Sequence, residues 1–335
     1  MYVACAGSNE IHVLGLGTDG SLDPLRVVPL PDVAEPGGST PLALSPDRRF
    51  LYAGVRSQPF RVVAFAVDPA SGALSHLGNA PLADSMAYLA TDRTGRWLFG
   101  ASYGGGRVSV NPVAPDGRVG PPLQVEATEP KAHAIEPEPS NAAVLATSLG
   151  GDMVHRFRFD PATGALSGGE AAARVAAGSG PRHFVRQPSG RFLFLLNELS
   201  ATVDVFAIAA SGALRPVETV SALPEGFTGK PWAADLHLTS DGRLLFASER
   251  TSSTLQGFRV DPDSGRLTPC GSTPTETQPR GFAIAPSGRF LVASGEVSHG
   301  VAAYAIDPAS GSLARTARRE VGRTPNWVEI LDLTA

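Results

Sequence analysis

One short phrase, a glycine turn that opens a new apolar run, is written seven times in this chain. Its glycines fall at positions 20, 72, 117, 164, 212, 265 and 311, so the intervals are 52, 45, 47, 48, 53 and 46 residues. Thr18-Asp19-Gly20-Ser21-Leu22 is one copy; Asp68 to Leu74, Pro115 to Val119, Asp160 to Leu166, Ala210 to Leu214, Asp261 to Leu267 and Asp307 to Leu313 are the others. A self-similar period near 48 dictates a repeat architecture before any other consideration applies. Helical solenoids are disfavoured, because no repeat holds a capped amphipathic stretch of helical length.

A second phrase sits between the copies of the first. Ser45-Pro46-Asp47-Arg48-Arg49-Phe50 is echoed at Thr94 to Trp97, Pro188 to Phe192, Ser240 to Leu244 and Pro286 to Phe290, with a degraded copy at Pro139-Ser140-Asn141. Each phrase places a tight turn before a strand rich in Val, Leu and Phe, the mark of a hairpin leading into a buried strand. Two hairpins per repeat give four antiparallel strands, and seven such blades give an all-β, seven-bladed β-propeller. In the repeat around residue 190 the strands are expected at Arg182 to Arg186, Phe192 to Glu198, Thr202 to Ile208 and from about Leu214. The hairpin glycines start only at residue 20, so Met1 to Val13 needs a strand from Trp327 to Leu333 to complete its blade. Pairing the two chain ends closes the ring and removes sheet edges. The whole chain, residues 1–335, reads as a single domain.

Composition narrows the partners. A net charge of -4 and a pI near 6.0 lack the basic field that replaces counterions on a nucleic acid. No run of 18 apolar residues is present and the first residues do not resemble a secretion signal, so no membrane partner is expected and the cytoplasm is the expected compartment. Cys5 and Cys270 are too few for a disulfide framework, and neither has metal-ligand spacing, so no metal and no cofactor are expected.

In an antiparallel blade the start of the inner strand lies beside the end of its neighbour, and seven such places ring one mouth of the central channel. Those positions hold Arg56, Tyr103, His133, Arg182, His183, Glu198, Asp235, His237, Glu249, Arg250, Arg280 and Glu296. A ring of Arg, His and Glu against an otherwise apolar core suits an anionic small molecule; the structural alternative is a set of salt bridges between blades. Trp232 and Trp327 are candidates for an apolar wall or for packing between blades. A binding platform of the WD40 kind would carry Trp-Asp dipeptides, which are absent, and a calcium site would need more oxygen ligands than Asn197 and its neighbours supply.

Several segments carry a family resemblance: Ser45-Pro46-Asp47 with Tyr52 to Arg56, Gly180-Pro181-Arg182-His183, Asn197-Glu198-Leu199, Trp232-Ala233-Ala234-Asp235 and Pro274 to Phe282. Along its whole length the chain resembles the bacterial propeller-type 6-phosphogluconolactonases, a lactonase family that includes fungal 3-carboxy-cis,cis-muconate lactonizing enzyme. The resemblance implies a metal-independent lactonase acting on a sugar lactone, with His133, Arg182, Glu198 and Arg250 as catalytic residues. Hydrolysis needs a base for the attacking water and donors for the oxyanion. Glu198 and His133 are the acid/base candidates, with His183 as a substitute. Arg182 and Arg250 would hold the oxyanion or a carboxylate, while Arg56, His183, Trp232, Asp235 and Arg280 would contact the rest of the substrate. The resemblance also has gaps: the family pattern places cations near Gly150, Met153, Pro231 and Val297, where this chain has none. Lys131 and Lys230 are nearby replacements. Without a cation at such a place, a charge-assisted bond to phosphate worth roughly 1.5 to 3 kcal/mol does not form, so hydrolysis of a lactone is implied more strongly than a phosphate on it. Unphosphorylated sugar lactones and carboxymuconate cycloisomerisation are the alternatives.

Overall fold

The computed structural model describes residues 1–333 as twenty-eight strands in seven four-stranded antiparallel sheets arranged as a ring. Residues 334 and 335, the end of the expected domain, lie outside the described residues. Blade 1 is built from both ends of the chain: Pro325–Glu329 is its inner strand, followed by Tyr2–Cys5, Glu10–Leu16 and Leu22–Pro29. Val3 pairs with Val328 and Ala4 with Trp327, which is the expected closure. The inner strands of blades 2 to 7 are Leu42–Leu44, Met86–Thr91, Ala132–Pro137, Pro181–Arg186, Ala233–Leu238 and Pro279–Ile284. In blade 5 the remaining strands, Phe192–Asn197, Thr202–Ile208 and Leu214–Ser221, fall within a residue of the sequence reading.

The repeated glycines explain the blades. All seven have φ between +69° and +85°, the left-handed region in which a side chain is strained. In the second phrase, Arg48 and Asn141 adopt the same conformation that Gly95, Gly190, Gly242 and Gly288 adopt, so the degraded copy keeps its turn through an Asn. The core is divided rather than central. Seven clusters of buried side chains lie one at each interface between neighbouring blades, as where Phe194, Leu196 and Val203 of blade 5 meet Leu236, Leu245 and Phe258 of blade 6. The channel along the axis is therefore free for polar side chains.

Register decides which side chains enter it. Six of the seven inner strands carry one extra residue near their start: Ala132 pairs with Ser148 but Ile135 with Ala146, Pro181 with Asn197 but Phe184 with Leu195, and Ala233 with Glu249 but Leu236 with Ala247. Similar bulges fall at Ala87, Arg280 and Asn326. A bulge re-aims side chains and leaves backbone groups unpaired. Here hydroxyls answer those groups: Thr147 Oγ1 accepts from the Ala134 N–H and donates to the Arg182 carbonyl, and Ser248 Oγ accepts from the Asp235 N–H. The bulged pairs are His133-Ala134, Arg182-His183 and Ala234-Asp235. These are the segments that carry the polar residues of the mouth.

Candidate active site

Arg182 lies at the centre of the mouth, with only 2% of its surface exposed. Its Nε donates to Glu198 Oε2 at 2.9 Å, and one terminal nitrogen donates to His183 Nε2 at 3.0 Å and to the Ala234 carbonyl. Arg250 reaches the same Glu198 oxygen at 3.1 Å and donates to the carbonyls of Trp232 and Ala233 at 3.2 and 2.9 Å. Glu198 Oε1 accepts from Trp232 Nε1 at 3.3 Å, and the Arg250 guanidinium lies 3.8 Å above the Trp232 ring. Burial alone would raise the Glu198 pKa, but the charges of Arg182 and Arg250 outweigh it and hold the carboxyl below its ordinary value. Glu198 is thus an ionised anchor that already accepts from three donors.

The two histidines differ in what they can accept. His183 Nε2 takes the Arg182 donor, so its proton must sit on Nδ1, which donates to Asp235 Oδ1 at 2.7 Å. Both ring nitrogens are engaged, which leaves the expected substitute base no free lone pair. Burial, assisted by Arg182, lowers its pKa to about 4. Asp235 is likewise saturated: Oδ1 also receives the Leu236 N–H, and Oδ2 the Phe282 N–H and His237 Nε2. His133 is only 4% exposed, and its Nδ1 has no hydrogen-bond partner among the described residues. Burial first, then the charges of Arg182 and His183, hold it well below the usual imidazole range, so it is neutral. A buried polar atom without a partner costs about 1–3 kcal/mol; its ring sits 5.1 Å from His183 and 6.0 Å from Tyr103.

The remaining arginines complete the rim. Arg280 donates to Glu296 Oε1 at 2.9 Å and to the Gly38 carbonyl, while Arg56 donates to the hydroxyls of Ser85 and Ser39 at 3.0 and 2.8 Å. Lys131 extends its ammonium to 5.7 Å from the Tyr103 ring. Glu249 does not face a substrate position: it is fully buried and caps the loop that carries Arg250, accepting from the N–H groups of Trp232 and Ser252. A separate groove of about 410 Å³ beside blade 1 is walled by residues such as Val13, Leu16, Phe290 and Leu333 and brings no imidazole into play.

Residues 1–330 match the family described as Lactonase, 7-bladed beta-propeller. The chain belongs to this lactonase family. It is 42% identical over 335 residues to a 6-phosphogluconolactonase of Pectobacterium carotovorum, covering 99% of this chain and 98% of the relative. It is 39% identical over 330 residues to one from Erwinia tasmaniensis, covering 98% of each. Among solved structures it is similar to the periplasmic gluconolactonase of Pseudomonas aeruginosa, with a TM-score of 0.86, 33% identity and 97% of both chains covered.

In this lactonase the mouth gathers His133, Arg182, Glu198, Arg250, Trp232, Arg56 and Arg280, while His183 and Asp235 lie one step deeper, bonded to each other. Trp232 and Trp327 form no common wall: Trp232 stacks on Arg250, whereas Trp327 packs against Tyr88 and His183. The sequence reading missed Tyr88, Glu136 and Glu329, which also line the channel. They are the third residue of Met86–Thr91 and the fifth of Ala132–Pro137 and of Pro325–Glu329. A scan of every inner strand for polar residues at its third and fifth positions would have found them. The bulges that put those positions on the axis are not visible in the residues. No helix among the described residues is long and apolar enough to cross a membrane.

Proposed function

We propose that the protein hydrolyses a sugar lactone to its aldonic acid, with 6-phosphogluconolactone as the first-ranked substrate and residues 1–335 acting as one lactonase domain. The observation that carries this reading is the pairing of a neutral, buried imidazole whose Nδ1 lacks a partner with an excess of guanidinium. Among the described residues Arg182 and Arg250 pair with Glu198, Arg280 pairs with Glu296, and the guanidinium of Arg56 is hydrogen-bonded by the hydroxyls of Ser85 and Ser39. An anionic substrate, or an oxyanion forming from a neutral one, supplies the missing negative charge.

The His133 imidazole takes a proton from water as its oxygen bonds to the lactone carbonyl carbon. Arg182 and Arg250, fixed by Glu198, receive the developing oxyanion. Collapse of the tetrahedral intermediate breaks the bond to the ring oxygen, and the His133 imidazolium returns its proton to that oxygen, giving a hydroxyl and a carboxylic acid that ionises at neutral pH. Water as nucleophile suffices because the lactone ester is already reactive.

The chain has no cation at Gly150, Met153, Pro231 or Val297, where the resemblance places them, and only Lys131 beside Gly150 and Lys230 before Pro231 stand in, which favours unphosphorylated aldonolactones as the second reading. Hydrolysis of 6-phosphogluconolactone, gluconolactone and galactonolactone, each corrected for its spontaneous rate, separates the two. A KM that rises with salt for the phosphorylated lactone alone supports the first. Turnover of the free lactones at higher kcat/KM, with a KM indifferent to salt, establishes the second. A multiply charged substrate does not cross a membrane unaided, so we place the first activity in the cytoplasm. Fractionation decides this, and a periplasmic location would favour the second reading.

A further inference from the structure

Below the arginines three rings from blades 1, 3 and 5 meet across the channel. Tyr88, His183 and Trp327 are each the third residue of their inner strand. Their centroids are 5.1 Å apart for Tyr88–His183, 5.2 Å for Tyr88–Trp327 and 5.9 Å for His183–Trp327, and Tyr88 meets its two partners edge to face. Each ring directs its polar donor to a different carboxylate. The Tyr88 hydroxyl donates to Glu136 Oε1 at 2.6 Å, Trp327 Nε1 to Glu329 Oε1 at 2.9 Å, and His183 Nδ1 to Asp235 Oδ1 at 2.7 Å. Glu136 and Glu329 stand at the fifth positions of their strands, three and two residues beyond the mouth-level His133 and the ring of Trp327. With a rise of ~3.3 Å per residue, they lie on the far side of the rings from the arginines.

Filling a channel with apolar packing would need only Leu or Phe. Here each of three half-buried or buried carboxylates receives the donor of a different ring, an arrangement that costs desolvation and gains orientation. Because the donors of Tyr88 and Trp327 are turned away from the mouth, what these half-buried rings offer a ligand is carbon.

We infer that Tyr88, His183 and Trp327 are the floor of the substrate site: they seal the channel and select lactones with one unsubstituted C–H face, which lies on the rings while the hydroxyls project sideways to Arg56, Arg182, Arg250 and Arg280. Asp235, Glu136 and Glu329 are positioning residues that hold the rings, and Asp235, through His183, also fixes Arg182. This assignment rests on the lactonase reading above.

The test is steady-state hydrolysis of glucono-δ-lactone by Tyr88→Ala, Tyr88→Phe, Trp327→Ala and Trp327→Phe, with thermal midpoints measured in parallel. Each Ala variant is expected to raise KM roughly tenfold or more while kcat changes far less, the size of the effect when one aromatic ring is taken away. Tyr88→Phe, keeping the carbon surface and losing only the anchor, is expected to recover most of that KM, and Trp327→Phe, with its smaller ring, part of it. Folded Ala variants with the wild-type KM, or Phe variants as impaired as Ala, overturn the floor and leave lactone hydrolysis standing. A wild-type protein inert toward every lactone overturns the proposed function and the floor with it. If the Ala variants do not fold, wild-type crystals soaked with gluconate decide: ligand carbons within ~4 Å of the Tyr88 and Trp327 rings support the floor, and a ligand bonded to the Tyr88 hydroxyl, Trp327 Nε1 or Glu136 overturns it.

Discussion

His133→Phe tests the proposed base by separating activity from stability. The substitution keeps an aromatic ring beside His183 and Tyr103, removes both nitrogens and enlarges the ring by one atom. His133 Nδ1 is buried without a partner, so the native protein carries a desolvation cost that Phe does not. Releasing that cost, about 1–3 kcal/mol, is expected to leave the variant as stable as the wild type or more stable. For a chain of 335 residues the upper value corresponds to a thermal midpoint higher by roughly 4 °C. Turnover is expected to fall by about 10²- to 10⁴-fold, the usual consequence of losing a general base. Calorimetry and lactone hydrolysis at matched pH give both quantities from one preparation. A variant that keeps more than a tenth of wild-type kcat refutes the assignment of His133. A midpoint lowered by several degrees refutes the argument that Nδ1 is left unpaired for function.

Glu198→Gln is expected to behave in the opposite way. It leaves Arg182 and Arg250 buried without their shared counterion, a loss of about 3–5 kcal/mol and a midpoint lower by roughly 4–7 °C, together with reduced turnover. Lost turnover at an unchanged midpoint would restore Glu198 as the base. Burial raises the Glu329 pKa from its ordinary 4.5 to about 7. The stability linked to its protonated form is therefore present below about pH 4.5 and lost as pH rises through 7. Glu329→Gln should thus gain on the wild type by up to about 3 kcal/mol between pH 5 and pH 8 in denaturant titrations, and a pH-independent difference would show that Glu329 does not titrate there. Activity should survive exhaustive chelation, because the proposed chemistry uses only imidazole and guanidinium groups. Loss with EDTA and recovery with calcium or zinc would replace the water-and-histidine mechanism.

What was legible in the sequence follows from what each turn and strand requires locally. A positive φ admits few residues, so the seven hairpin glycines mark the blades directly, and even Asn141 in the degraded phrase betrays its turn. The rim residues followed because an antiparallel pair fixes which strand ends meet. Depth along the channel did not follow. A bulge is one extra residue in a run of ordinary ones, and nothing in Gly180-Pro181-Arg182-His183 distinguishes a bulged pair from a regular one. Yet that bulge sets Arg182 against Glu198 at the mouth and His183 one level below it against Asp235. Strict alternation would have sent one of the two into the blade. The hydroxyls that stabilise the bulges lie in other strands: Thr147 serves Arg182 of the next blade, 35 residues away, and Ser248 serves Asp235 of its own blade, 13 residues away. The division of labour between the two histidines is therefore a property of register. His133 is bulged against a strand whose side chains offer its imidazole nothing, so it keeps a free nitrogen. His183 is bulged beside Asp235 of the next blade and gives both of its nitrogens to positioning.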